Sequence, residues 1–322
     1  MMQCVDLFCG CGGMSLGFQQ AGIDIVAAVD HWDKAVDIYK KNFQHPCYLH
    51  DLRDEIGCLE IISQYSPDMI IGGPPCQDFS SAGKRDESLG RADLTYHFSN
   101  ILLAYRPKWF VMENVARIKK SRILNDIIRE LIEANYGLSQ IVLDASYYGV
   151  PQARKRFFLI GELNGKHSQL NPILESKRSK KPMTVKEYLG DSLQLEYYYR
   201  HPRNYSRRGI FSINEPSPTV RGVNRPVPKG YSKHHGDPAN AKLDQIRPLT
   251  TIERSYIQTF PKQFQFEGTK TSLEQMIGNA VPVNLAQFVA SAILEYIGLG
   301  DYQKYSQTLF DLAPFTSQTI KI

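Results

Sequence analysis

Asp68-Met69-Ile70-Ile71-Gly72-Gly73-Pro74-Pro75-Cys76-Gln77-Asp78-Phe79-Ser80 is the stretch from which the fold is read. Its first four residues read as a short buried strand of a parallel sheet. Gly72 and Gly73 then let the backbone turn sharply, and Pro74 and Pro75 fix φ and stiffen the loop beyond them. A cysteine is thereby set on a rigid loop at the carboxyl end of a strand, where open α/β sheets place their ligands. A tight turn whose cysteine merely packs is the competing reading, since free cysteines are often buried. The rest of the chain separates the two.

Upstream, residues 3–9 read as a strand that runs into Gly10-Cys11-Gly12-Gly13 and a helix over 14–21. Strand, Gly-rich turn and helix form a nucleotide-type loop, in which backbone N–H groups approach a ligand at the helix start. The dinucleotide fingerprint G-x-G-x-x-G is not met, because residue 15 is Ser. Residues 25–29 form a second strand ending in Asp30, and residues 47–50 a third ending in Asp51. Asp30 suits ribose hydroxyls; it equally suits the N-cap of a helix over 32–43. Three successive strands with Gly-rich or acidic tips point to a nucleoside-containing cofactor.

Downstream, residues 81–92 are polar and Gly-containing and read as a mobile loop beside the site. A helix over 93–105 leads to a strand over 109–112 with Glu113-Asn114-Val115 at its tip, a carboxylate that is either catalytic or a cap. Ile123, Ile127 and Leu131 repeat at helical spacing, which predicts a covering helix. Strands over 138–144 and 157–160 flank Gln152-Ala153-Arg154-Lys155-Arg156, whose alternation sends Arg154 and Arg156 to one side.

The pattern then changes. Residues 165–246 are rich in Pro, Tyr, Ser, Arg and Lys with poor periodicity. They hold fifteen Lys/Arg against seven Asp/Glu, a surplus of +8 in a chain whose net charge is +5. A basic segment beside a mildly acidic body is the footprint of a polyanion binder, or else a solvated insertion. Helical pattern returns over 249–259 and 283–297, and residues 298–322 read as a terminal extension.

The 322 residues, 42% hydrophobic and 22% charged, fit an ordinary globular protein of one large and one smaller domain. No uninterrupted apolar run reaches the ~18 residues of a membrane span, and no signal peptide is evident at the N-terminus. Cys4, Cys9, Cys11, Cys47, Cys58 and Cys76 all lie in the first quarter of the chain. A disulfide framework is not expected, a reducing cytoplasm fits better, and no metal site is expected.

Five motifs occur in a telling order: Asp6-Leu7-Phe8-x-Gly10-x-Gly12-Gly13, Pro74-Pro75-Cys76-Gln77, Glu113-Asn114-Val115, Gln152-x-Arg154-x-Arg156, and 274–284 with Gly278-Asn279. In these the chain resembles the DNA (cytosine-5)-methyltransferases, most of all the compact bacterial modification enzymes. The resemblance covers about residues 4–161 and 247–297. It implies an α/β fold: a Rossmann-like sheet that binds S-adenosylmethionine, with a smaller, mostly irregular or β target-recognition domain inserted near the C-terminus. The expected division is 1–164 catalytic and cofactor-binding, 165–246 target recognition, and 247–322 return to the catalytic domain plus tail.

By the same resemblance Cys76 is the nucleophile that adds to cytosine C6, and Glu113 the acid at N3. Arg156 contacts O2, with Arg154 structural or supporting, although both arginines would also suit phosphate or carboxylate pairing. Phe8, Gly10, Gly12, Leu52, Pro75, Asn279 and Val281 are placed at the cofactor, with Asp30 on the ribose and Asp51 on the adenine amino group. His31 stands between Asp30 and Trp32, where the family often has an aromatic directly after the acid, so either His31 or Trp32 meets the adenine. The expected partner is double-stranded DNA, bound by a monomer, with the target cytosine flipped out. A cognate restriction endonuclease would share the site. Ser217-Pro218-Thr219-Val220-Arg221-Gly222 would present Thr and Arg to base edges, while Arg203, Arg207, Arg208, Arg225, Lys229 and Lys233 interleave with Tyr197–Tyr199, Tyr205 and Tyr231. A tRNA cytosine-5 methyltransferase on the same fold and an inactive nucleic-acid-binding module are the competing readings.

Overall fold

Apolar runs that end in Gly or an acid become parallel strands, and the runs between them become covering helices. In the computed structural model, which describes residues 1–75, 93–204 and 206–298, these are β1 (Gln3–Leu7), α1 (Gly13–Gln20), β2 (Asp24–Asp30), α2 (Asp33–Asn42), β3 (Cys47–Leu49), α3 (Glu55–Ser63), β4 (Met69–Gly72), α4 (Asp93–Tyr105) and β5 (Trp109–Val115). Then come α5 (Arg122–Glu133), β6 (Tyr136–Asp144), β7 (Gln152–Ala153) and β8 (Lys155–Leu163). Cys76, the polar run over 81–92, Tyr205 and residues 299–322 lie outside the described residues.

Seven strands form one sheet in the order β3-β2-β1-β4-β5-β8-β6. The pairs from β3 to β5 are parallel, and β8 runs antiparallel between β5 and β6. Strand order reverses between β1 and β4, and the crevice outside the carboxyl ends at such a switch point is where doubly wound sheets take ligands. Strand alternation sorts side chains to two faces. Cys4, Met69, Ile71, Trp109 and Val111 pack in one core with α1; Val5, Leu7, Ile70, Phe110 and Met112 pack in the other with α4 and α5.

The C-terminal helices α8 (Thr251–Ile257), α9 (Lys270–Asn279) and α10 (Val283–Ile297) return to this body. The stretch Lys270–Ile297 is long and apolar enough to cross a membrane by composition, but most of it is buried inside the protein. Pro282 at the N-cap of α10 separates it from α9. α10 buries all but its last few residues, and α1 crosses it at Gly17, where a Cβ would sit 2.4 Å from the Val283 carbonyl oxygen.

Between β8 and α8 lie α6 (Asn171–Ser176), α7 (Val185–Leu189) and three strands of two or three residues, β9 (Tyr197–Tyr199), β10 (Ile210–Ser212) and β11 (Ser217–Pro218). The composition changes at residue 165, but Leu170 and Leu174 still pack in the core that holds Ile141 and Leu143 of β6. The tyrosine run is not an aromatic display. Tyr198 and Tyr199 are buried, and Tyr198 shares a core with Phe211, Leu249 and Ile257. β9 pairs with β10, and β11 pairs with β7, which puts the segment after Ser217 against the Gln152–Arg156 turn.

Candidate active site

A cleft of about 1750 Å³ opens at the carboxyl ends of β1, β2, β4 and β5. Its floor starts in the turn after β1. Phe8, Gly10 and Gly12 all have positive φ (62°, 54° and 92°), which suits glycine and strains Phe8. A Cβ on Gly12 would collide with the Phe43 ring at 2.3 Å, whereas one on Gly10 would meet nothing within 4 Å. Gly12 therefore serves packing and does not line the cleft, while Gly10 faces open space in it.

Asp30, at the tip of β2, is not the N-cap of α2, which is Trp32, but it ties the start of that helix to the turn after β1. Its Oδ1 accepts from Trp32 N (2.8 Å) at the entrance to α2, and its Oδ2 accepts from Gly10 N (2.8 Å). Burial pushes its pKa up, against those two N–H groups, which hold it down. A carboxylate has about four acceptor positions, so capacity remains for hydroxyls of a ligand. Phe8, Gly10, Asp30, His31, Trp32, Pro75, Asn279 and Val281 all line this cleft. Acidic tip, open glycine and apolar walls fit a ribose-bearing cofactor.

Besides Gly12, two further expected cofactor residues lie outside the lining. Leu52 is buried in the core with Val29 and Cys58. Asp51 is half exposed; its carboxylate accepts from Arg53 N (3.0 Å), its pKa is held down first by that N–H, and the Arg53 guanidinium lies 3.2 Å away. Neither side chain lines the cleft.

The reactive end is built from β4, β5 and β8. Gly73 follows β4 so closely to Glu113 that a Cβ there would lie 3.3 Å from Oε2, and Asn114 Nδ2 donates to Pro74 O (3.4 Å). The two-proline loop thus leads toward the Glu113 carboxylate, and Cys76, two residues past Pro74, lies outside the described residues. Glu113 is 8% exposed. Burial raises its pKa, and the charges of Arg156 and Arg154 oppose that rise. Arg156, opposite Val115 in the antiparallel register, brings Nε to 2.7 Å from Glu113 Oε1.

Arg154 does different work. Its guanidinium is fully buried and donates to the carbonyl oxygens of Val220 (3.1 Å), Gly278 (3.1 Å), Asn279 (3.4 Å) and Ala280 (3.0 Å). It joins the end of α9 to the segment after β11. Gln152 adds to the same junction: its Oε1 accepts from Val220 N (2.8 Å), and its Nε2 donates to Gln258 Oε1 (2.6 Å). Sequence reasoning placed Gln152 in a motif but gave it no task. Among the charged residues that follow it the side chain looks like any exposed polar group, and its task shows only once it is seen fully buried.

The opposite wall is basic. Arg200, Arg203, Arg207, Arg208, Arg221 and Arg225 line it. Arg208 pairs with Glu215 and lies 4.3 Å above the Phe211 ring. Thr219 Oγ1 donates to Ala153 O (2.8 Å), and Arg221 donates to His201 O, so both are engaged within the protein. Lys229 and Lys233 lie outside the lining, and Lys233 donates to Ala239 O. Among the described residues no group of three or more metal-ligand side chains occurs. The five described cysteines are free and buried, and burial pushes the thiols of Cys11 and Cys58 up to about 12.

The model of the C-5 cytosine-specific DNA methylase family matches residues 2–295. The chain is 68% identical over 295 residues to the type II methyltransferase M.HindV of Haemophilus influenzae, covering 92% of this chain and 97% of the other. It is 54% identical to M.HgiDI of Herpetosiphon aurantiacus, covering 95% and 98%. Among solved structures, the S. pombe Dnmt2 methyltransferase superposes with a TM-score of 0.69 at 18% identity, covering 92% and 99% of the two chains. A prophage-encoded putative DNA modification methyltransferase of E. coli does so with 0.65 at 23%, covering 92% and 100%. The last two share the fold, and the whole-length family match goes further: this chain belongs to the C-5 cytosine-specific DNA methylases, enzymes that move a methyl group from S-adenosylmethionine to C5 of cytosine in DNA.

Proposed function

We propose that Cys76 is the nucleophile, Glu113 the acid at N3 and Arg156 the contact to O2 of a flipped-out cytosine in double-stranded DNA. The observation that carries this is the pairing of Arg156 with the buried Glu113 at the end of β5, where the Gly73-Pro74-Pro75 turn arrives. Cytosine C5 is a poor nucleophile until a thiolate adds to C6. Protonation or hydrogen bonding at N3 accepts the charge of that addition, and a carboxyl whose pKa is raised by burial can hold the needed proton. Arg156 orients the carboxyl beside the ring. S-adenosylmethionine, when bound along Gly10 and Asp30, supplies the methyl group that C5 accepts. Loss of the C5 proton and elimination of the Cys76 thiolate from C6 then restore the aromatic ring. Arg154 is a positioning residue in this scheme, as its carbonyl partners indicate. The buried thiols with raised pKa elsewhere are poor candidates for the nucleophile.

The 165–246 segment, with its arginine wall, is the proposed recognition unit, its first helix packing on the large domain, and the irregular backbone there carries the base contacts. The names of the relatives favour a sequence-specific type II modification enzyme over a tRNA methyltransferase. On this reading the protein works as a cytoplasmic monomer that protects sites cut by a cognate endonuclease.

DNA carrying 5-fluorocytosine at the target tests the mechanism, because fluorine leaves no proton to lose from C5. A covalent complex should accumulate in the presence of S-adenosylmethionine and survive denaturing electrophoresis. Cys76→Ser should abolish trapping and turnover while leaving cofactor binding intact. Near-normal methylation by Cys76→Ser would refute the assignment.

A further inference from the structure

Of the large apolar side chains exposed among the described residues, Val223 alone lines the cleft. It is 56% exposed. It stands between Arg221 and Arg225, on the wall that carries the arginines. An exposed valine is ordinary on an irregular loop. This loop, however, is held at almost every neighbour. Val220 N and O are bound by Gln152 and Arg154 (2.8 and 3.1 Å), and Arg221 O accepts from Arg254. Gly222 and Gly278 let the backbone press onto α9: a Cβ on Gly278 would lie 2.3 Å from Arg221 C and from Gly222 N. On the far side Asn224 Nδ2 donates to Leu249 O (2.8 Å) and to Glu274 Oε1 (3.1 Å), and Glu274 is itself ion-paired with Arg254 in a buried site. The side-chain anchors thus fix the backbone on both sides of Val223 and leave its own side chain in the cleft.

We propose that Val223 is a specificity-determining residue that contacts the apolar C5 edge of a pyrimidine in the major groove. The chemistry narrows the ligand. A valine gains nothing from a phosphate oxygen, which the flanking arginines already suit. The apolar edges of bases are the surfaces a branched aliphatic side chain can meet in that groove, as it does the methyl of thymine. Fixing the backbone on both sides means the contact is made without ordering a loop on binding. The proposal rests on the arginine wall of the 165–246 segment facing the duplex, as proposed for the recognition unit.

The test is a duplex library randomised around the target, methylated by wild type, Val223→Ala and Val223→Thr, and sequenced for the methylated cytosines. Wild type should show a defined site. Val223→Ala should lower kcat/KM on that site about tenfold, the scale of losing a small apolar contact. It should relax the preference at one base-pair position and leave the others unchanged. Val223→Thr, of similar shape but with a hydroxyl, should relax the same position. Melting temperature and S-adenosylmethionine affinity should match wild type, because the side chain is exposed. An unchanged sequence profile, an equal loss at every sequence, or a lowered melting temperature would each overturn the proposal. A wild type that methylates without any preferred site would instead sink the recognition reading on which it stands.

Discussion

Asp6 shows how much a single buried charge can say about this fold. It is 1% exposed at the root of the cofactor turn, and its Oδ2 accepts from the Ser15 hydroxyl. Ser15 Oγ in turn accepts from Tyr39 (2.7 Å), whose hydroxyl also meets His45 Nε2 (2.7 Å). Burial pushes the Asp6 pKa up from 3.8 to about 7, and the Ser15 hydrogen bond pulls part of that back. A carboxyl raised in the folded state holds a proton that the unfolded chain has released. Its stabilising protonation is fully present below the unfolded pKa near 4 and is lost as pH rises toward 7. Above that window the folded protein carries an ionised buried carboxylate, at a cost of up to roughly 4 kcal/mol by the ~1.4 kcal/mol per pKa unit. Asp6→Asn does not titrate. Its stability advantage over wild type should therefore be larger at pH 8 than at pH 5, by roughly 2–3 kcal/mol in urea melts, since part of the cost is already present at pH 5. A stability difference between the two proteins that does not move with pH would show that Asp6 is already ionised when folded at pH 5.

At the scale of elements, the cofactor turn is only as firm as the contact between α1 and α10. A Cβ on Gly17 would lie 2.4 Å from Val283 O and 2.6 Å from the Ala286 Cβ, and one on Gly13 would lie 2.3 Å from Val281 O. Gly17→Ala must therefore push α1 off α10 and should cost about 1–3 kcal/mol, the range for overpacking a tight contact. Because α1 begins at the turn that holds Gly10 and Gly12, S-adenosylmethionine affinity should fall in parallel; calorimetry and thermal melts on the one variant check both. A Gly17→Ala protein as stable as wild type would mean the two helices slide apart freely. These close approaches were not legible in the sequence, which shows a glycine but not its partner near the other end of the chain. The parallel strands were legible, since Gly-rich or acidic tips mark the ends of β1, β2, β4 and β5. α3 was not read: Ile56, Leu59, Ile61 and Ile62 give no clean helical stripe, and Ile56 is exposed. Much of the 165–246 stretch lacks a period because side chains rather than ladders organise it. Asp237, for example, accepts from Gly209 N, Ile210 N, His234 N and the Tyr231 hydroxyl. The same limit hid the task of Arg154. Alternation put it beside Arg156, but its carbonyl partners lie 66 and more than 120 residues away and come together only in the fold.

For the whole molecule, what matters is how the +8 of residues 165–246 is distributed against a body that sums to −3. Charge counted along a sequence overstates what a polyanion meets, because some cations are neutralised or engaged inside the protein. Arg208 is paired with Glu215, and Arg200 and Arg221 hold backbone carbonyls. Arg207 and Arg225 are exposed on the cleft wall instead. Each phosphate neutralised on duplex DNA releases counterions and contributes a slope of about −0.9 to log K against log salt. Arg207→Gln combined with Arg225→Gln should therefore weaken binding at low salt and flatten that slope by roughly 1.8. Arg208→Gln should leave the slope nearly unchanged and act through stability, since it strands Glu215 and uncovers Phe211. Fluorescence anisotropy of a labelled duplex between about 50 and 200 mM salt, the range over which such contacts show strongly, separates the two cases. Equal flattening by both variants would mean that the Arg208–Glu215 pair opens on DNA, and no flattening by the double variant would move the phosphate contacts off this wall.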